Sequence, residues 1–295
     1  MLTKRPLMSA PNDKRQMLYG ESMAIRDANV LASIDLSSVD LAVDCTEEFC
    51  AAYREWILSS KLNSIKGLDQ FSFACYSNGT TEAFDKFYVK NRTRRFRCFK
   101  GEYVYHRLAW RNSWPNWSWL DDECLDANDA VVISLPFSDT GCAHRLHEEL
   151  LDKCDQLSIP VLVDCAYFGI CEGLPFNFDH TCITDITFSL SKVFPVAHAR
   201  IGVRFTRVDD DDPLFVVNKI GYTNRIGAQL GLQLINKFSP DYIYIKYRGR
   251  QLEICKDLNV IPSRTVLFGI GGEEWLEYNR GTATNRLSFN KMYEG

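Results

Sequence analysis

No apolar run in this 295-residue sequence approaches the roughly 20 residues that a membrane helix needs; the longest, Ala130–Phe137 and Ile159–Val163, fall far short. A membrane partner is therefore not expected. The first twenty residues carry Lys4, Arg5, Lys14 and Arg15 but lack the continuous apolar segment of a secretory signal, so export is not expected either. Positive charge is not in excess: 34 Lys and Arg face 38 Asp and Glu, a net charge of -4, and nucleic acid is not an expected partner. Internal repeats and low-complexity stretches are missing. Eleven cysteines are present, but without a C-x-x-C pair and too dispersed for a small disulfide scaffold, which predicts reduced thiols, a cytoplasmic location and no metal site. Cys165, Cys171 and Cys182 sit in segments that read as buried, where cysteine serves as a small apolar side chain.

What is there is 46% apolar and 24% charged residues, enough for a sizeable core or two packed domains. Helical patterns alternate with short β-rich runs, the α/β signature. Apolar residues between Thr46 and Leu58 recur at helical spacing, with Asp44 or Thr46 as N-cap. Phe71–Tyr76 reads as a strand that stops at Ser77-Asn78-Gly79, and Thr80–Tyr88 resumes as a helix. Ala130–Leu135 and Ile159–Val163 have the near-continuous apolar content of strands covered on both faces of a parallel sheet. A helix is expected over Ala143–Gln156, and strands over Asp185–Ser189 and Arg200–Phe205. The acidic run Asp209–Asp212 before Pro213 reads as a solvated helix start rather than a metal site. The expected division is an N-terminal arm over 1–30, a large domain over 31–213 and a small α+β domain over 214–295, which ends in a strand at Arg286–Phe289.

One ordered constellation carries chemistry: Asp164-Cys165-Ala166-Tyr167, then Ser189-Leu190-Ser191-Lys192, then Arg200, preceded by Asn78-Gly79-Thr80-Thr81-Glu82-Ala83 and followed by Asn285-Arg286-Leu287-Ser288. Each piece alone is weak, but five in this order resemble the fold-type I pyridoxal-phosphate enzymes, the aspartate aminotransferase superfamily. Those motifs are D-x-A-Y, S-x-S-K with an arginine eight residues on, N-G-[ST]-x-E-A, and a late carboxylate-binding arginine. The resemblance runs from about Phe71 to the end of the chain.

It implies a three-layer α/β fold with a mostly parallel, mixed sheet of about seven strands and a small C-terminal domain, and pyridoxal 5'-phosphate as cofactor. It also implies a homodimer, with an amino acid and a 2-oxo acid as small-molecule partners. Lys192 would hold the cofactor as a Schiff base and then shuttle the α-proton. Asp164 would keep the pyridine nitrogen protonated so that the ring accepts electrons, and Tyr167 would donate a hydrogen bond to the ring 3'-oxygen. Backbone N–H groups from Gly79 to Thr81, the hydroxyls of Thr80, Ser189 and Ser191, and Arg200 would hold the phosphate. Arg286 would clamp the substrate α-carboxylate, and Tyr103 would stack on the ring, with Tyr105 as competitor. An aminotransferase is the first expectation. A decarboxylase or lyase is the second, and a regulatory protein that kept the fold is the third.

The chain departs from the family's pattern in places. Ser138-Asp139-Thr140-Gly141 stands where N-P-T-G is usual, so Ser138 replaces the asparagine that touches the 3'-oxygen, and Gly101 stands where proline precedes the stacking aromatic. The tyrosine that a partner subunit lends to the phosphate is not identifiable, with Tyr19 the nearest guess. Trp110, Trp114, Trp117 and Trp119 read as core or interface packing ahead of ligand contact. The basic residues around Tyr88 and Phe96, among them Arg95 and Arg97, read as a solvated helix end and strand.

Overall fold

A computed structural model describes Leu18 and residues 22–209 and 212–293. Its frame is a seven-stranded sheet made from β2 (Phe73–Ser77), β3 (Arg95–Cys98), β4 (Trp117–Trp119), β5 (Asp129–Ser134), β6 (Val161–Cys165), β8 (Ile183–Ser189) and β9 (Gly202–Thr206). The spatial order is β2-β9-β8-β6-β5-β3-β4, with β9 antiparallel to both neighbours and the other pairings parallel. Strands β5 and β6 are buried along their whole length, as their continuous apolar sequence predicts. Two short strands, β1 (Ser64–Lys66) and β7 (Pro175–Asn177), form a separate parallel pair.

Helices cover both faces of the sheet. The helix at Thr46–Leu58 begins and ends where its periodicity places it, and it buries Phe49, Tyr53, Trp56 and Ile57. Against it lies the helix Arg225–Lys237, so closely that a Cβ on Gly231 would come within 2.4 Å of the Phe49 ring. On the other face, the helix Thr80–Lys90 and the helix Val104–Ser113 enclose a second cluster of Phe84, Phe87, Tyr88, Phe96 and Trp110. Burying side chains of this size contributes about 1.5–3 kcal/mol each. Trp110 is fully buried and stacks on Phe96 with centroids 5.4 Å apart, while Trp114, Trp117 and Trp119 pack partly buried at its edge. The long helix Tyr242–Leu258 leads to a three-stranded antiparallel sheet of β10 (Ile261–Pro262), β11 (Phe268–Gly271) and β12 (Asn285–Ser288).

Three local expectations shift. The helix expected from Ala143 spans His147–Leu157, because His144 turns the chain first: its Nδ1 accepts the Leu146 N–H at 3.3 Å and its carbonyl oxygen the His147 N–H at 3.0 Å. Arg200 lies outside β9 with φ +56°, in the left-handed region, which swings its side chain out of the strand direction. Arg97 is fully buried rather than solvated: it and Arg95 both pair with Asp129, each at 2.7 Å. Asp212 caps the helix Pro213–Lys219 and pairs with Arg204. The cysteines are free thiols; Cys165, Cys171 and Cys182 are all buried. Among the described residues no helix is long and apolar enough to cross a membrane, and no cluster could hold a metal ion.

Candidate active site

In an open sheet of this kind ligands bind beyond the carboxyl ends of the parallel strands, and the expected residues gather there. Asp164 is the fourth residue of β6, register-paired with Ser134 on β5 and Thr187 on β8. It is buried, and one oxygen accepts the Ala166 N–H at 3.0 Å. Burial pushes its carboxyl up to about 7, against the Ala166 hydrogen bond and the charge of Lys192. Lys192 follows β8, and its amine donates to Ser22 O at 2.5 Å. Tyr167 donates its hydroxyl to Ser22 Oγ at 3.1 Å. Burial alone would raise this phenol, but the positive charges of Arg286, Lys192 and Arg280 and the Ser22 hydrogen bond together hold it below its ordinary value.

Arg286 sits on β12, is buried, and lies 4.2 Å over the Phe268 ring, which meets Tyr167 edge-on. It donates to the carbonyl oxygen of Ser138, and its Nε has no partner among the described residues. One end of the guanidinium is thus fixed by the very loop that departs from N-P-T-G. The Ser138 N–H in turn donates to Ser134 Oγ at 2.9 Å.

The turn from β2 into the helix Thr80–Lys90 builds a cup. Gly79 has φ +76°, and a Cβ there would lie 2.4 Å from Arg200 Nη2, so only glycine lets the guanidinium close on the turn. Arg200 Nη2 donates to Asn78 O at 2.9 Å and to Thr81 Oγ1 at 3.1 Å, and Tyr76 pins the Arg200 carbonyl at 2.9 Å. The helix has no side-chain cap at its N-terminus, whose N–H groups follow Gly79 and Thr80. Ser189 donates to Ile201 O at 3.0 Å and accepts from the Ser191 hydroxyl at 2.9 Å, beside the start of β9. Ser77 Oγ, at the foot of the same turn, is buried without a partner among the described residues. A glycine cradle, a cation and an orphan hydroxyl fit a phosphate.

Tyr103 is exposed at the start of the helix Val104–Ser113. Tyr105 is committed elsewhere: its ring lies near Phe84 and its hydroxyl donates to Asp85 at 2.9 Å. Tyr19 lies outside the described residues. Three residues at the site carry no motif. Ser22 joins Lys192 to Tyr167, Glu102 bonds to Ser134, and Asp139, 1% exposed, accepts from Thr282 Oγ1 at 2.7 Å. Only the replacement of proline in the N-P-T-G position marked Asp139 in the sequence.

No family model matches the chain, and no curated protein does. Solved structures do. The pyridoxal-phosphate-bound C–S lyase of Staphylococcus hominis aligns with TM-score 0.65 at 11% identity, over 92% of this chain and 88% of that one. The histidinol-phosphate aminotransferase of Clostridium acetobutylicum aligns with TM-score 0.62 at 13% identity, over 93% and 95%. That of Sinorhizobium meliloti, in complex with pyridoxal-5'-phosphate, aligns with TM-score 0.63 at 14% identity, over 97% and 92%. At such identities the likeness is one of fold: the chain has the three-layer α/β fold, with a mixed, mostly parallel seven-stranded sheet, of these pyridoxal-phosphate-dependent enzymes.

Proposed function

We propose that the chain is a pyridoxal-phosphate-dependent aminotransferase that moves an amino group between an amino acid and a 2-oxo acid. The observation that carries the reading is the gathering of a buried carboxyl, Asp164, a lysine, Lys192, and a buried guanidinium, Arg286, around Tyr167, with the Gly79–Arg200 cup on the same sheet edge. The cofactor would supply an electron-poor ring that takes up the electron pair left when a bond to the substrate α-carbon breaks.

The chain's own residues would do the rest. Gly79, Thr80, Thr81, Ser189, Ser191 and Arg200 bind the phosphate, and Tyr103 covers the ring. Asp164 holds the ring nitrogen protonated: a cation there favours the ionised carboxylate that burial alone disfavours. Tyr167 donates to the 3'-oxygen. Lys192 would anchor the cofactor through its amine and would carry the α-proton. Arg286 holds the α-carboxylate through the guanidinium edge that Ser138 leaves open. Homodimerisation and a cytoplasmic location go with this reading.

The test is an absorption spectrum of the cofactor-loaded protein as amino acids are added in turn. Conversion to the pyridoxamine form, reversed by a 2-oxo acid, is the expected result, and Lys192→Ala should abolish both the Lys192-bound absorbance and the conversion. Carbon dioxide or ammonia released without a 2-oxo acceptor would replace the aminotransferase by a decarboxylase or lyase on the same residues. Borohydride reduction that labels a lysine other than Lys192 would overturn the site.

A further inference from the structure

A cavity of about 480 Å³ is walled by Glu102, Tyr103, Arg107, Trp119 and Arg280, among others, and Glu102 links it to the ring site through Ser134, the register partner of Asp164. Two of its walls belong to segments already placed. Tyr103 starts the helix Val104–Ser113, and Arg280 belongs to the loop that leads into β12 and Arg286. Asp139 ties that loop to the large sheet through Thr282, and Asn279 braces it by donating to Thr282 O at 2.9 Å.

The charges in this wall are uneven. Lys100 is neutralised by Asp122. The Glu102 carboxyl is turned to Ser134, and burial pushes it up to about 8, so it carries little charge near neutral pH. Arg107 and Arg280 are both exposed to the cavity, and among the described residues neither has a carboxylate within ion-pair distance. Arg280 is also near enough to the reacting groups that its charge lowers the pKa of both Tyr167 and Arg286. Asp121 also stands at this wall, held by the Lys100 N–H at 2.7 Å, but two guanidinium groups on one cavity with no carboxylate paired to either repel each other, and an anion between them removes that repulsion. The rings of Tyr103 and Trp119 line the same cavity and give it two apolar faces beside the guanidinium groups.

Resting on the reading of the site as that of an amino-acid enzyme, we infer that Arg107 and Arg280 form a second anion subsite, separate from Arg286, and that the substrate is an α-amino acid whose side chain ends in a carboxylate or phosphate. With the α-carboxylate on Arg286, the side chain extends over Tyr103 toward Arg280.

The test titrates the cofactor-loaded protein with matched pairs: L-aspartate against L-asparagine, L-glutamate against L-glutamine, and O-phospho-L-serine against L-serine. Cofactor absorbance and the heat of binding are followed in parallel. The charged member of at least one pair should half-saturate at a concentration about tenfold lower or less than its neutral partner. Arg280→Gln and Arg107→Gln should each cut that ratio severalfold, and Arg280→Lys should keep most of it. A preference in the first two pairs marks a carboxylate, and one in the third a phosphate. Ratios near one in all three pairs, with cofactor bound, overturn the subsite and leave the aminotransferase reading standing; failure to bind the cofactor overturns both.

Discussion

Ser134 holds Glu102 at two points: its backbone N–H donates to Glu102 Oε1 at 2.7 Å, and its hydroxyl donates to Oε2. Ser134 ends β5 and is register-paired with Asp164, so the bond sets a second buried carboxyl beside the one proposed for the ring nitrogen and fixes the residue before Tyr103 to the sheet. Burial pushes Glu102 up to about 8, and the charge of Asp164 adds to the rise, against the Ser134 hydrogen bonds.

Two raised carboxyls give the cofactor-free protein a definite pH dependence. Their ordinary values are 4.5 for Glu102 and 3.8 for Asp164, and their folded values are about 8 and about 7. Between those limits the folded chain keeps protons that the unfolded chain has lost. The contribution is therefore fully present below about pH 4 and is lost as pH rises through 7 to 8, at up to about 1.4 kcal/mol per unit for each group. Glu102→Gln and Asp164→Asn should each flatten the fall. Melting midpoints from pH 5 to 9 check this; variant and native profiles of equal slope would remove both protons from the account.

Asp164→Asn separates holding the cofactor from using it. The phosphate cup and Lys192 are untouched, so bound cofactor should remain. Turnover should drop by several kcal/mol of transition-state stabilisation, because a neutral amide cannot keep the ring nitrogen protonated. Cofactor content by absorbance and single-turnover rates decide it, and a near-native rate takes Asp164 out of the chemistry.

Local pattern made parts of this molecule legible and long-range contact hid others. The helix Thr46–Leu58 was readable because its apolar face repeats at helical spacing; its N-cap was not, since that position is Cys45, which makes no side-chain cap bond, while Asp44 Oδ1 accepts the Thr46 N–H at 3.0 Å from the residue before it. Strands β5 and β6 were readable because both of their faces are covered. Ser22 was not: it meets Tyr167 and Lys192 across 145 and 170 residues of chain. Nor was Glu102, which meets Ser134 only where β5 brings it near. Arg95 and Arg97 read as solvated because their counter-charge, Asp129, lies on the neighbouring strand.

Gly79→Ala tests the cup without touching a charged group. The substitution forces a side chain into the left-handed region and puts a Cβ 2.4 Å from Arg200 Nη2. Strain of about 1–3 kcal/mol and a displaced guanidinium should weaken cofactor binding by tenfold or more in a spectroscopic titration. Affinity equal to the native protein's would place the phosphate elsewhere.

Arg286→Lys separates an enzyme of amino acids from one of simple amines. The guanidinium is buried over Phe268 with one end on Ser138 O, which leaves its remaining edge for two parallel hydrogen bonds to a carboxylate. Lysine keeps the charge but cannot make that fork. Apparent KM for the amino-acid donor should rise, and catalytic efficiency should fall by roughly 2–3 kcal/mol. Cofactor content should hold, since the phosphate is assigned to Arg200 and the Gly79 turn. Loss of cofactor and substrate binding together would make Arg286 a structural residue that anchors the 138–141 loop. Native kinetics with an amino-acid donor would remove the clamp and shift the substrate toward amines that lack a carboxylate.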